Sequence, residues 1–303
     1  MPDLVFQKLI ALDSLPSDWE LVNIAVDWSG LPLLLMIEGR GPEPAKGSDS
    51  ETWSRWFNTK PKALHTVDFR SDKIRTTCIQ RGGEIHGGPV QPFKDGWIAG
   101  IRWGDGVRCY DSAGALKELL DLGKGIADVQ TEPSGRIWVS YYDEGVYGSG
   151  ISTEGLVCFD GAGTPVFRYQ EFAEQNELPH IDDCYAMNVS AAGDVWVNYY
   201  SDFPLVCLEN MHLKRHWLEF GSLGSTFAVR DDGVHYLRKS RLMFRLLDAG
   251  SDPEPVNCFD ENGDEFVPRS DRYVSGAMRG APGAARGPHL IIDSGSAIYA
   301  AVT

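Results

Sequence analysis

Val107-Arg108-Cys109-Tyr110-Asp111 returns as Leu156-Val157-Cys158-Phe159-Asp160, then as Leu205-Val206-Cys207-Leu208-Glu209 and Val256-Asn257-Cys258-Phe259-Asp260. The phrase recurs about every fifty residues, a spacing that marks one supersecondary unit packed against copies of itself. A second phrase keeps the same period. Ser134-Gly135-Arg136-Ile137-Trp138-Val139-Ser140-Tyr141-Tyr142 and Ala192-Gly193-Asp194-Val195-Trp196-Val197-Asn198-Tyr199-Tyr200 are near copies, and weaker ones follow Gly30, Gly96, Gly233 and Gly295. The glycines mark six units.

Each unit reads as four short strands, clearest in the third: Ile126 to Thr131, Arg136 to Tyr142, Leu156 to Asp160 and Pro165 to Tyr169. Apolar alternation, β-branched and aromatic enrichment and Gly/Asp/Ser turns give that reading. Helical periodicity is confined to Thr52 to Asn58. Four-stranded units repeated six times describe an all-β, six-bladed β-propeller, one domain over residues 1–303 with an insertion loop at 38–62. The last unit is expected to end after two strands, His289 to Asp293 and Ala297 to Val302. Leu4 to Leu12 is then expected to complete the sixth blade and close the ring, covering edges that a partial sheet would expose.

The phrases around Trp138 and Cys158 resemble the repeats of two-component-regulator-type sensor propellers and, more loosely, NHL-type propellers. The likeness is fullest over Ile126 to Trp217. It implies a scaffold that binds ligands or partners, and it implies no activity.

Hydrophobic residues make up 43% of the chain and charged residues 23%, as in ordinary globular domains. Forty-three acidic against 28 basic residues leave a net charge of −15, which opposes nucleic acid and anionic membranes and points to a basic protein partner. The N-terminus carries no basic leader followed by an apolar run, and no stretch reaches membrane length, so a cytoplasmic location is expected. Of the six cysteines, Cys109, Cys158, Cys207 and Cys258 occupy equivalent positions in successive units. Packed sheets lie about 10 Å apart and a disulfide needs Cα atoms within about 7 Å, so these four are expected to be reduced core residues. Cys78 and Cys184 fall outside the pattern.

Loops joining second to third strands, and blade to blade, share one face of a propeller. They read as long in the first, third and fifth units, and long loops on a rigid scaffold are where binding resides. The insertion ends in Trp53, Trp56 and Phe57, whose helical spacing suits either an apolar contact surface or a cap on the first blade. The third-unit loop offers Tyr141, Tyr142, Asp143, Glu144 and Tyr147, and its fourth-unit counterpart Tyr199, Tyr200, Asp202 and Phe203. Tyrosine supplies an apolar body with a hydroxyl handle. His86, Asp128, His180, Asp182, Asp183 and Ser225, at the starts of units, are placed near the channel mouth. Trp138, Trp196 and Tyr236 repeat too faithfully to be anything but packing.

No phosphate loop, serine-nucleophile elbow, zinc-protease helix or paired-cysteine metal motif is present. The expected function is therefore non-enzymatic: binding of a protein partner through the long-loop face, with an immunity-type inhibitor of a basic toxin as one form. No catalytic residue and no cofactor is assigned. The alternative, by similarity to the six-bladed gluconolactonase-like group, is a hydrolase with a divalent metal in the channel on Glu20, Asp128, Asp183 and Asn188. A small-ligand or sugar-binding sensor is the second alternative, which the differences between loops disfavour.

Overall fold

The computed structural model describes residues 3–41, 44–45, 47–69, 74–81, 88–100, 106–238, 240–247, 250, 252–269 and 283–303. The chain is a β-propeller. After β1 (Asp3–Ala11), β2 (Trp19–Val26), β3 (Pro32–Glu38), β4 (Ala63–Asp68) and β5 (Arg75–Arg81) form a four-stranded antiparallel sheet in sequence order. The next three sheets repeat it. They comprise β6 (Val90–Phe93), β7 (Gly96–Gly100), β8 (Val107–Tyr110) and β9 (Leu116–Leu120); β10 (Ile126–Thr131), β11 (Ile137–Tyr141), β12 (Leu156–Phe159) and β13 (Pro165–Arg168); and β14 (Asp183–Val189), β15 (Asp194–Tyr200), β16 (Leu205–Glu209) and β17 (His212–Trp217). The insertion carries the helix α1 (Ser50–Asn58), and α2 (Asp143–Val146) and α3 (Tyr169–Gln175) follow β11 and β13.

The remaining strands are β18 (Phe227–Val229), β19 (Gly233–Arg238), β20 (Arg241–Leu246), β21 (Glu254–Asp260), β22 (Glu265–Phe266), β23 (Gly283–Arg286), β24 (His289–Asp293) and β25 (Ala297–Val302). With β1 they make one nine-stranded sheet ordered β18-β19-β20-β21-β1-β25-β24-β23, with β22 paired to β21. The N-terminal strand is the joint. Gln7 to Ala11 run antiparallel to β25, as expected, and Asp3 to Phe6 continue in parallel along Asn257 to Asp260 of β21.

The repeated phrases have local causes. Asp111, Asp160 and Asp260 each use Oδ1 to accept the main-chain N–H groups two and four residues on, at 2.8–3.0 Å, folding the turn after the cysteine strand. Glu209 breaks the pattern, and there Asn210 and Met211 both take positive φ in a two-residue hairpin turn. Gly135 and Gly193 sit at φ near +87° and +89°, a conformation suited to glycine, and close the turns into β11 and β15. Trp138 follows at 1% exposure, its indole N–H donating to Glu132 at 2.7 Å, so even the polar edge of the ring is satisfied inside the core.

Two expectations are corrected. Cys258 does not lie in a third strand: β19 turns directly into β20, with Arg238 opposite Arg241, so the cysteine phrase falls one strand further out, on β21. The long loop expected between second and third strands of the fifth unit is therefore absent, and the long connection there lies between β20 and β21. The last unit also has three strands of its own, because Gly283–Arg286 pairs with β24. All six cysteines are free, five of them buried and Cys78 half-buried. Burial pushes the thiols of Cys109, Cys207 and Cys258 up to about 11, 12 and 12.

The first strands form a closed circuit: β2 touches β6, β6 touches β10, β10 touches β14, β14 touches β18, β18 touches β23, and β23 touches β2. Polar side chains lace that circuit. Gln91 donates to Val26 O, Thr131 to Pro92 O, Gln130 to Met187 O and Thr226 to Gly283 O, at 2.7–3.3 Å. Asn188 donates to Phe227 O and Gly287 O and accepts from Gly287 N. Arg286, 1% exposed, reaches across the axis to Gln91 Oε1 and Thr131 O. Among the described residues no helix is long and apolar enough to cross a membrane.

Candidate functional site

After β11 the one-turn helix α2 is held against the neighbouring loop by Tyr142 N–H donating to Gly125 O at 2.8 Å. A Cβ on Gly145 would meet Lys124 O at 2.4 Å, so glycine is required for that approach. The helix presents Asp143 and Glu144 outward and ends at Tyr147, which is 71% exposed. The nearby Asp182 carboxylate, ahead of burial, holds the Tyr147 phenol above its ordinary range.

Asp182 belongs to the segment leading into β14, and its N–H donates to Tyr200 O at 2.9 Å. That bond ties the entry of β14 to Tyr200 at the end of β15. Tyr200, 46% exposed, meets Phe203 edge-on at 5.7 Å between ring centroids, and Phe203 meets Tyr185, 42% exposed, at 5.6 Å. The loop carrying Phe203 is built on the buried Asn198, whose Nδ2 donates to Phe203 O, Pro204 O and Gly221 O and whose Oδ1 accepts from Leu223 N.

The electrostatics follow from crowding. Burial pushes the Asp183 carboxyl up to about 6, and the charges of Asp143 and Glu144 push in the same direction. Glu144 is itself raised, by burial first and then by Asp143. Among the described residues, Asp143, Glu144, Asp182, Asp183 and Asp202 form no ion pair with Lys or Arg, and Asp183 Oδ1 is buried without a hydrogen-bond partner.

Not every sequence candidate lies on this surface. Tyr141 and Tyr199 are fully buried: Tyr141 donates to Leu122 O, and Tyr199 donates to Pro179 O while bonding the Tyr169 hydroxyl at 2.8 Å. They support the patch and take no part in contact. Tyr142 is half-buried and Asp202 exposed. The insertion is separate. Its helix α1, capped by Asp49 accepting from Thr52 N, turns Trp56 inward beneath Arg40 with its indole N–H on Gly41 O. Trp56 is 7% exposed and meets half-buried Trp53 edge-on at 6.0 Å, so the aromatic end folds onto its own stem; the side chain of Phe57 lies outside the described residues.

The channel candidates are also dispersed. Asn188 commits its amide to the inner strands, as above. Asp128 accepts from Val129 N and Gln130 Nε2, and burial raises its carboxyl to about 6. Glu20 is buried at the start of β2, His180 is exposed with Glu174 at 3.8 Å, Ser225 is exposed, and His86 lies outside the described residues. Among the described residues no three His, Cys, Asp or Glu side chains are grouped to hold a metal ion. Sequence reading missed Tyr185 and Asn198. A bulge between Asp183 and Ala186 turns Tyr185 out of the alternation, whereas Asn198, two residues past the repeated Trp196, was legible as a polar residue in an otherwise apolar strand.

A model of the YxzG family matches residues 156–275, less than half of the chain. No curated protein matches the sequence significantly. Similar solved structures include a catalytically inactive virginiamycin B lyase from Staphylococcus aureus with quinupristin, at 10% identity and a TM-score of 0.51 over 98% of this chain and 99% of that one. A streptogramin B lyase aligns at 10% identity and 0.50 over 98% and 96%, and a gluconolactonase from Xanthomonas campestris at 10% and 0.48 over 99% and 96%. At such identities the likeness is one of fold.

Proposed function

We propose that this protein is a non-enzymatic binding propeller that takes a basic protein partner on the face formed by the third- and fourth-unit loops. The observation that carries the reading is Tyr147, largely exposed near Asp182, in a cluster of carboxylates that among the described residues form no ion pair with Lys or Arg. Exposed aromatic residues on a rigid support are contact anchors, and surrounding charge of one sign steers a partner of the other. The charge of −15 favours the same class of partner and disfavours nucleic acid and anionic membrane.

Two finer readings go with it. Six blades are supported by the circuit of six first strands, with the nine-stranded sheet read as two blades joined through β1. A reducing, cytoplasmic setting is supported by six unpaired thiols. A basic toxin masked by an immunity-type inhibitor is one partner of the required chemistry. No cofactor is assigned.

The test is capture of the partner from the native cell followed by binding kinetics. Asp143→Lys and Glu144→Lys are expected to slow association about tenfold at low salt, less at high salt. Tyr142→Ala and Tyr147→Ala are expected to speed dissociation. Normal kinetics for all four would reject this face.

A further inference from the structure

We propose that the contact between the fifth and last units is an acid-sensitive joint, with His235 as the group that loosens it. The proposal is independent of the partner-binding reading and concerns how the propeller is held closed. His235 lies on β19, with Ala228 of β18 and Phe244 of β20 opposite it in register. Alternate residues of a strand share a face, so His235 stands on the same face as Leu237, and that face packs against Leu290 and Ile292 of the last unit. The imidazole is 3% exposed and lies against the Phe244 ring at 4.7 Å between centroids. Among the described residues its Nδ1 is buried without a hydrogen-bond partner.

An imidazolium is poorly placed there. Arg230 lies over the Phe244 ring at 5.6 Å and is ion-paired with Asp232 at 3.0 Å, while Glu254, opposite Phe244 in register, is exposed. The thiol of Cys258 and the phenol of Tyr299 are the other titratable groups among the described residues packed in this contact. No carboxylate among them faces the imidazole from the last unit, so a second N–H donor and a charge gained on protonation would be buried in apolar surroundings. Burial lowers the imidazole to about 4, with Arg230 pressing the same way and Asp232 opposing it. Parting the two faces lets the imidazole titrate in water at its ordinary 6.5. The closed joint is therefore fully stable above that value and loses stability as pH falls towards 4. The N-terminal strand sets the limit of the movement. It pairs with β21 along Asp3 to Phe6 and with β25 along Gln7 to Ala11, so the two units stay tethered at that edge while their packed faces separate.

Cysteines report on the joint directly. Cys258 is buried in this contact, and Cys109, Cys158 and Cys207 are buried in contacts between other sheets. The full chain is labelled with 4,4′-dithiodipyridine, which reacts with thiols in acid, and each rate is divided by that of glutathione at the same pH and assigned by peptide mass mapping. Between pH 7 and pH 5 the normalised rate at Cys258 is expected to rise about tenfold or more, and the other three to change less than about twofold. The rise should begin near pH 6.5, the ordinary value of the imidazole. His235→Leu and His235→Phe, two apolar replacements of different shape, should each abolish it, and either one that folds decides the point. An equal rise at all four cysteines, a flat rate at Cys258, or a rise that begins only below pH 4 overturns the proposal in the unsubstituted chain alone. A selective rise that persists in a His235 variant overturns it as well.

Discussion

Asp183 carries a carboxylate that folding makes harder to ionise, so its contribution to stability changes sign from that of a surface acid. Its folded value is near 6 against an ordinary value of 3.8. The folded state therefore holds the proton more tightly, and the stabilisation it brings is fully present below pH 4 and lost as pH rises through 6. Asp183→Asn removes the penalty at neutral pH. After allowance for solvent screening the gain is about 1 kcal/mol, or about 2 °C in melting temperature. Thermal melts at pH 7 and pH 4 check it: the variant should be the more stable at pH 7 and equal to the parent at pH 4, and a variant destabilised at pH 7 contradicts the account. The same carboxylate shows what sequence discloses at this scale. Asp143, Glu144 and Tyr147 announce themselves in one loop, but their meeting with Asp182 and Asp183 depends on two units being neighbours, and the burial of Tyr141 and Tyr199 depends on which side of a strand end the core lies.

At the scale of elements, strands were legible wherever a turn residue punctuated an apolar run: β10, β24 and β25 match their sequence limits residue for residue. The failures have physical causes. Gly283–Arg286, Gly-Ala-Ala-Arg, has no strand-forming residue and is held in the sheet by pairing with β24, a tertiary effect. The helix α3 was hidden by its short length, although Tyr169, Phe172 and Ala173 share its buried face. The N-terminal strand was legible as a clasp, and its second partner, β21, was not. Deleting residues 1–12 strips the edge of β25 and of Asn257 to Asp260 together. Two unpaired edges invite association between chains. The truncated protein is expected to lose most of its soluble yield and to aggregate on refolding, as measured by fractionation and light scattering; unchanged solubility and melting would show that neither sheet needs β1.

For the whole molecule, the first-strand circuit raises the question of what keeps separate sheets from behaving as separate units. Apolar packing between sheets is one cause, and the polar lacing is the other, since nearly every inner-strand amide or hydroxyl named above bonds the main chain of a neighbouring sheet rather than its own. Arg286 is the longest of these reaches, extending from β23 to β6 and β10. Desolvation lowers its guanidinium to about 10, and the charges of Asp27, Asp128 and Glu132 oppose that fall. Arg286→Met keeps much of the volume but leaves Thr131 O and Gln91 Oε1 without that donor and removes a buried positive charge near Asp27, Asp128 and Glu132. Hydrogen bonds from a charged donor are worth about 1.5–3 kcal/mol each, and breaking a buried charge network by removing one partner costs about 3–5 kcal/mol. The apolar replacement returns part of that through packing, so a net loss of about 3 kcal/mol is expected. Urea unfolding followed by tryptophan fluorescence measures it. A lower midpoint with an unchanged slope means that the ring is weakened yet unfolds as one body, whereas a midpoint equal to or above the parent's would show that hydrophobic contacts alone hold the ring and that Arg286 contributes nothing to its closure.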